Sequence, residues 1–187
     1  NEVSVGAKGI YLGDINFSIT GDGSSLLVEK LEANYEGGVI TSSGSVDIKT
    51  FPPALDLEFE LDKIRFKFLK SSSVYSGMRG SLYGETLPYN LVGSIKLKEV
   101  NIFDSINSLV SNFSGNSNVS DRDLLIRPSI VVETENPIHI KNNLLDVFID
   151  TNMKISGSNI NPQAQGEFDL VPSRSKVFIK GNAFSVT

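Results

Sequence analysis

Cysteine is absent from this chain of 187 residues, and histidine occurs once. Without thiols there are no disulfides and no thiolate metal sites. An absence of cysteine also suits an oxidising compartment, where a stray thiol is a liability. The lone histidine, His139 in "IHIK", has no partners from which to build a triad or a metal centre. It is expected at an exposed strand position. The net charge of -5 leaves no basic field to gather nucleic acid or anionic headgroups. No apolar run approaches the ~20 residues of a membrane-spanning helix. There is no G-x-S-x-G elbow and no phosphate-cradling glycine motif. "GDGSS" (21–25) and "SDRD" (120–123) lack the spaced acidic ligands of a calcium loop. No catalytic residue, cofactor or metal site is expected, and the chain does not read as an enzyme. It carries no signal-peptide pattern and does not begin with Met. Asn1 and the strand-like "NAFSVT" point to a piece of a longer protein, with any anchor elsewhere.

What the chain does have is alternation. In "ALDLEFELDKIRFKF" (54–68), Leu55, Leu57, Phe59 and Leu61 alternate with Asp56, Glu58, Glu60 and Asp62. In a strand this puts an apolar surface on one face and four carboxylates on the other. The carboxylates are expected to form a solvated face, since alternate strand positions lie about 7 Å apart, too far for a tight cation site. After Leu61 the parity changes to Ile64, Phe66 and Phe68, which predicts a turn or a one-residue bulge at Asp62–Lys63.

The same period recurs along the chain. The apolar sets are Ile15, Phe17 and Ile19; Leu27, Leu31, Ala33 and Tyr35; Val46 and Ile48; Met78 and Leu82; Leu91, Ile95 and Leu97. They continue with Ile130 and Val132; Leu145, Val147, Ile149, Met153 and Ile155; Phe168 and Leu170; Val177 and Ile179. Breaks such as "GDG", "EGG", "FPP" and "LPYN" carry turn chemistry. The count is ten or eleven strands, with no βαβ alternation. The mid-strand glycines Gly44, Gly80, Gly93 and Gly166 suit bends. One segment departs from this: "VNIFDSINSLVSNF" has apolar residues at 102, 103, 106, 109, 110 and 113, the spacing of a helix face. Residues 114–123 read as a polar linker. The expected organisation is a sheet segment over 1–100, a helix-plus-loop excursion over 101–123 and a second sheet segment over 124–187, all one continuous domain.

The stretch from Asn136 to Val186 resembles the C-terminal domain of the TamB family, which is AsmA-like. The likeness is carried by Asn136, Pro137, Ile138, Ile140, Asn143, Leu145, Val147, Gly157, Asn161, Pro162, Gly166, Leu170, Gly181 and Phe184. "LEANYEGGVITSSGSVDI" and "MRGSLYGETLPYNLVGSIKL" resemble the looser strand repeats of the same family. Family members often carry Gly in the turn written here "LVPSRSKV", where this chain has Ser173 or Ser175. That turn is therefore expected to be built differently.

The resemblance implies an all-β, long, curled, mostly antiparallel sheet: a gutter, or β-taco, with a hydrophobic concave face and one short amphipathic helix. It implies a periplasmic segment of an inner-membrane-anchored protein of a diderm bacterium. Such proteins bridge to the outer membrane, carry phospholipid acyl chains, support outer-membrane protein assembly, and work with a barrel protein of the TamA/BamA class. The groove would be lined by Ile15, Phe17, Ile19, Leu27, Leu31, Leu55, Leu57, Phe59, Leu61, Ile64, Phe66, Phe68, Leu82, Leu91, Ile95, Leu97, Ile130, Val132, Leu145, Val147, Ile149, Met153, Ile155, Phe168, Leu170, Val177 and Ile179. Two alternatives stay open at this point: a scaffold or chaperone-like module that docks a barrel protein by strand pairing, and a closed β-sandwich interaction domain.

Overall fold

Alternating apolar residues cannot be buried one strand at a time, so the chain pairs its strands side by side into a single sheet. In the computed structural model, residues 3–5, 10–69, 72–103, 124–179 and 182–186 are described. The strands are β1 (Val3–Val5), β2 (Ile10–Gly21), β3 (Ser25–Tyr35), β4 (Gly38–Asp47), β5 (Ala54–Leu69), β6 (Ser72–Gly84) and β7 (Tyr89–Ile102). They continue as β8 (Ile126–Thr134), β9 (Ile138–Lys141), β10 (Leu145–Gly157), β11 (Pro162–Leu170), β12 (Lys176–Ile179) and β13 (Asn182–Ser185). All belong to one 13-stranded sheet. Consecutive strands pair antiparallel from β1 to β7; β8 and β9 then lie parallel to β7.

β8 and β9 share one lane between β7 and β10, and β11 and β12 share the lane beyond β10. Thirteen strands therefore occupy eleven lanes, which at ~4.8 Å per lane is about 50 Å of sheet. The sheet runs unbroken through the expected boundary at residue 100, because β7 extends to Ile102. Asn101 and Ile102 are strand and Phe103 is irregular, none of them helix; the rest of the helix expected over 102–113, from residue 104, lies outside the described residues.

The parity change in β5 is a bulge. Leu61 pairs with Met78 and Ile64 with Ser76, so three steps on β5 match two on β6. Lys63 takes φ 54° to make it, and Leu61 and Ile64 stay on one face. Gly77 has no side chain on the outer face, so Lys98 reaches over β6 to Asp62 at 2.7 Å. Irregularities fall at the same level across the neighbouring lanes. β7 carries a shift opposite Tyr75–Ser76, β8 breaks to β9 at 135–137, and β11 breaks to β12 at 171–175. Together they form a crease running perpendicular to the strands.

Hydroxyl groups splice the ladder where it breaks. At the β8/β9 break the Thr151 N–H donates to the Thr134 hydroxyl at 3.1 Å. At the β11/β12 break the Phe148 N–H donates to Ser175 Oγ at 3.1 Å, while that hydroxyl donates to Val171 O at 2.7 Å. This is how "LVPSRSKV" is built with serine: a 3-10 turn at Pro172–Arg174, then a buried hydroxyl bridging two backbones. Ser175→Ala should cost about 1–3 kcal/mol, because it strands a buried amide. Urea unfolding followed by circular dichroism measures this; an unchanged midpoint would show that the splice contributes nothing.

Candidate functional site: the apolar trough

The cross-strand register shows which residues share a face. Leu57 pairs with Gly44 and Leu82; Leu61 with Ile40 and Met78; Met78 with Ile95; Ile95 with Val132; Val132 with Met153. One continuous apolar face therefore crosses the sheet. Its fully buried members cluster on the crease: Ala33, Ile64, Ser76, Val100, Val132, Val147 and Thr151, each 5% exposed or less. Ile130 and Tyr89, at 7% and 9%, are buried away from that line, and the other apolar residues of the inner lanes are half-buried. At the outer lanes they stand open, with Phe17 at 69%, Phe168 at 64% and Ile179 at 56% exposed.

The sheet curls toward this face. A Cβ on Gly80 would lie 2.4 Å from Val92 O, and one on Gly93 2.3 Å from Arg79 O. Gly44 and Gly166 are as tightly placed against the neighbouring strand. All four sit on the apolar side, where a side chain would collide with the backbone of the paired strand, so glycine is what lets the strands approach there. The result is a trough with a buried floor, half-exposed apolar walls and two open ends. Among the described residues no second layer closes a sandwich, and only seven hydrophobic residues are buried.

The register places the expected groove residues that have a partner on the trough face except one; Ile15 and Phe68 fall within register shifts, and the side chains of Phe66 and Phe68 lie outside the described residues. Leu27 is the correction. It pairs with Thr20 and Ser45 on the outer face and is 50% exposed. A bulge at Glu29–Lys30 flips parity within β3, so Leu26 and Val28 take the trough positions before it and Leu31 and Ala33 after it. Ile48 lies beyond the end of β4, in the turn. Met78 and Ile40, absent from the expected lining, belong to it by register; their half-exposed alternation was the available signal.

A second depression, of about 950 Å³, lies on the opposite face. Its lining mixes Thr41, Ser43, Glu58, Glu60, Arg79, Ser81, Ser94, Ser129 and Lys154 with Phe59, Val92, Val131, Gly80 and Gly93. A twisted sheet is saddle-shaped, so each face is concave in one direction. Charged and hydroxyl groups interrupt its apolar ones, whereas the trough face is apolar from strand to strand and is the better site for an acyl chain. Of the four β5 carboxylates, Glu60 pairs with Arg79 at 2.6 Å and Asp62 with Lys98. The hydrogen bond from Lys98 holds the Asp62 carboxyl below its ordinary value, as expected of a solvated, paired face.

His139 is half-buried, not exposed as the sequence suggested. Its Nε2 lies 2.7 Å from Asp146 Oδ1, and its ring stacks on Phe148 with centroids 4.3 Å apart. Arg174 covers the other side of Phe148 at 4.0 Å, and Phe103 meets the His139 ring edge-on. This stack straps β7, β9 and β10 together on the outer face. The hydrogen bond from His139, then that from Lys141, lowers the Asp146 pKa from 3.8. A depressed carboxylate stabilises the fold above its ordinary pKa, and that stability is lost as pH falls through the depressed value. Asp146→Asn should therefore flatten the decline in urea midpoint below about pH 4. An unaltered acid limb would mean the pair does not support the fold.

No protein-family model, curated protein or solved structure matches this chain. Among the described residues, no cluster of His, Cys, Asp or Glu could hold a metal ion, and no helix is long and apolar enough to cross a membrane.

Proposed function

We propose that this protein is a periplasmic segment of a bridge between inner and outer membranes, and that its trough carries phospholipid acyl chains. The carrying observation is the single-layer sheet. One apolar face runs from β2 to β13 with walls that stay half-exposed, and no second layer of described residues covers it. A large exposed apolar surface is a liability unless something occupies it. Each methylene moved from water into the trough gains about 0.8 kcal/mol, so a groove of this chemistry lowers the barrier for a lipid tail crossing an aqueous gap. The headgroup can remain in water, which is why the trough needs no polar recognition site and no reaction chemistry.

In this reading the inner-membrane anchor belongs to the rest of the chain. The outer-membrane partner is a barrel protein of the TamA/BamA class, and lipid delivery supports outer-membrane assembly. A second reading, strand docking to that partner, draws on the edge of the sheet. β13 pairs only with β12 among the described residues, leaving one ladder edge unmatched.

Native mass spectrometry of the domain purified without detergent tests the conduit. Near-stoichiometric phospholipid is the expected result. A clean apo mass after incubation with liposomes would reject it and move the docking reading ahead.

A further inference from the structure

The loops on one rim of the sheet carry a second apolar feature, separate from the trough floor. Three neighbouring segments meet there: the β4–β5 turn (48–53), the β6–β7 turn (85–88) and the entry to β8. They present Ile48 at 49%, Phe51 at 98%, Leu87 at 41% and Leu125 at 46% exposure. Across the lanes concerned this is about 15–20 Å of rim. The turns on either side, 22–24 and 158–161, are polar apart from Ile160.

This rim is held in place. Tyr89, 9% exposed, donates its hydroxyl to Pro53 O at 2.6 Å, and its N–H donates to Leu125 O at 2.9 Å. One residue thus ties the three segments together, by its hydroxyl and its backbone N–H. Asp22 takes the N–H groups of Ser24 and Ser25, and the Ile48 N–H donates to Ser24 O. Phe51 is accordingly a preformed apolar tip on a braced turn.

The apolar surface also continues from the trough wall. Leu26 pairs with Val46, Val46 with Leu55, and Tyr89 with Ile126, all at the last or next-to-last register positions below the rim. No charged residue interrupts the step from Leu55 to Pro52 and Pro53. The charges in the two apolar turns are Lys49, paired with Asp47 at 3.6 Å, and Glu85.

We propose that this rim is a lip that dips into a lipid bilayer and lets acyl chains pass sideways into the trough. Four side chains are far too small an area for a stable protein interface, which needs about 1,200 Å² in total. They are enough for a transient, reversible contact with the headgroup–acyl boundary, which accepts isolated apolar tips. With charges of both signs and no basic cluster among its described residues, the lip gains nothing from anionic lipid, and neutral phospholipid is the surface it fits. The lip rests on the conduit reading for its purpose, and the test separates the two.

The chain has no tryptophan, so a single introduced one reports alone. Phe51→Trp places it at the lip, and Leu57→Trp places it in the trough. Each variant is mixed with phosphatidylcholine vesicles whose acyl chains carry bromine, with and without added phosphatidylglycerol. The lip predicts at least ~2-fold quenching of Phe51→Trp, equal with and without phosphatidylglycerol. It also predicts that Phe51→Asp, at a nearly fully exposed position, keeps the wild-type urea midpoint yet slows delivery of a fluorescent phospholipid into the trough by about tenfold. Quenching of Leu57→Trp alone would overturn the lip and leave the conduit standing. Quenching of Phe51→Trp alone would keep the lip and sink the conduit. If neither is quenched, both fall. If Phe51→Trp ignores vesicles while Phe51→Asp abolishes self-association in sedimentation, the rim binds a second copy and the lipid proposal is wrong.

Discussion

Gly93→Ala is expected to destabilise the sheet by at least ~3 kcal/mol, for the sake of one methyl group. The new Cβ would stand 2.3 Å from Arg79 O, 2.9 Å from Gly80 Cα and 3.1 Å from Arg79 C. These are backbone atoms, which cannot rotate away as a side-chain end can. Phe59 packs over the partner glycine, 3.0 Å from the place a Gly80 Cβ would take, so the bend has no slack on that side. To relieve the clash the strands must separate, and the trough must open at its middle. A fold of marginal total stability, about 5–15 kcal/mol, has little to spare for this. Gly77→Ala is the matched control. It lies on the outer face, where the added Cβ would meet Leu61 O at 3.4 Å and the flexible end of Lys98 at 3.5 Å. That substitution should leave the urea midpoint nearly unchanged. Equal midpoints for the two variants would mean that the glycines do not set the curl.

Leu57→Asp should leave a folded protein that holds at least ~10-fold less phospholipid. Leu57 is half-buried on the trough wall, between Gly44 on β4 and Leu82 on β5's other neighbour, β6. In the empty trough its carboxylate would still reach water across the open wall. With an acyl chain in place the charge would lose that water and gain no partner, so the penalty falls on the loaded state. Ser81→Asp, on the opposite face and beside Glu58, makes the same charge change outside the trough. It should alter retained lipid little. Lipid counted per chain by native mass spectrometry, with circular dichroism as the folding check, decides between them. A folded Leu57→Asp protein that retains lipid at the wild-type level would remove this wall from the conduit.

Much of the architecture was legible in the residues, and the exceptions have definite causes. The parity of β5, β7 and β10 was read correctly because no bulge interrupts the alternation over 55–61, 91–97 or 145–155. The parity change at Asp62–Lys63 was visible because apolar residues resume on both sides of it. The bulge at Glu29–Lys30 was hidden, since "SLLVEKLEA" offers adjacent leucines that fit either phase, and Leu27 was assigned to the wrong face. His139 looked exposed because its own strand shows only period two. Its environment comes from Asp146, Phe148, Phe103 and Arg174, which other lanes bring alongside. The lip was hidden for a similar reason: Phe51, Leu87 and Leu125 are far apart in sequence, and only the sheet makes them neighbours.

Local alternation and turn chemistry by themselves determined an all-β chain, its approximate strand count, and the chemistry of each face. Those depend on the two-residue period of a strand, which is a property of neighbours in sequence. Tertiary structure alone decided that the apolar faces join into one trough, that the sheet bends toward them, and that nothing among the described residues covers them. Those outcomes depend on register and curvature. Register places Gly80 against Gly93 and aligns the breaks in separate lanes into one crease. No single strand contains that information, because the bend exists only when several strands yield at the same level.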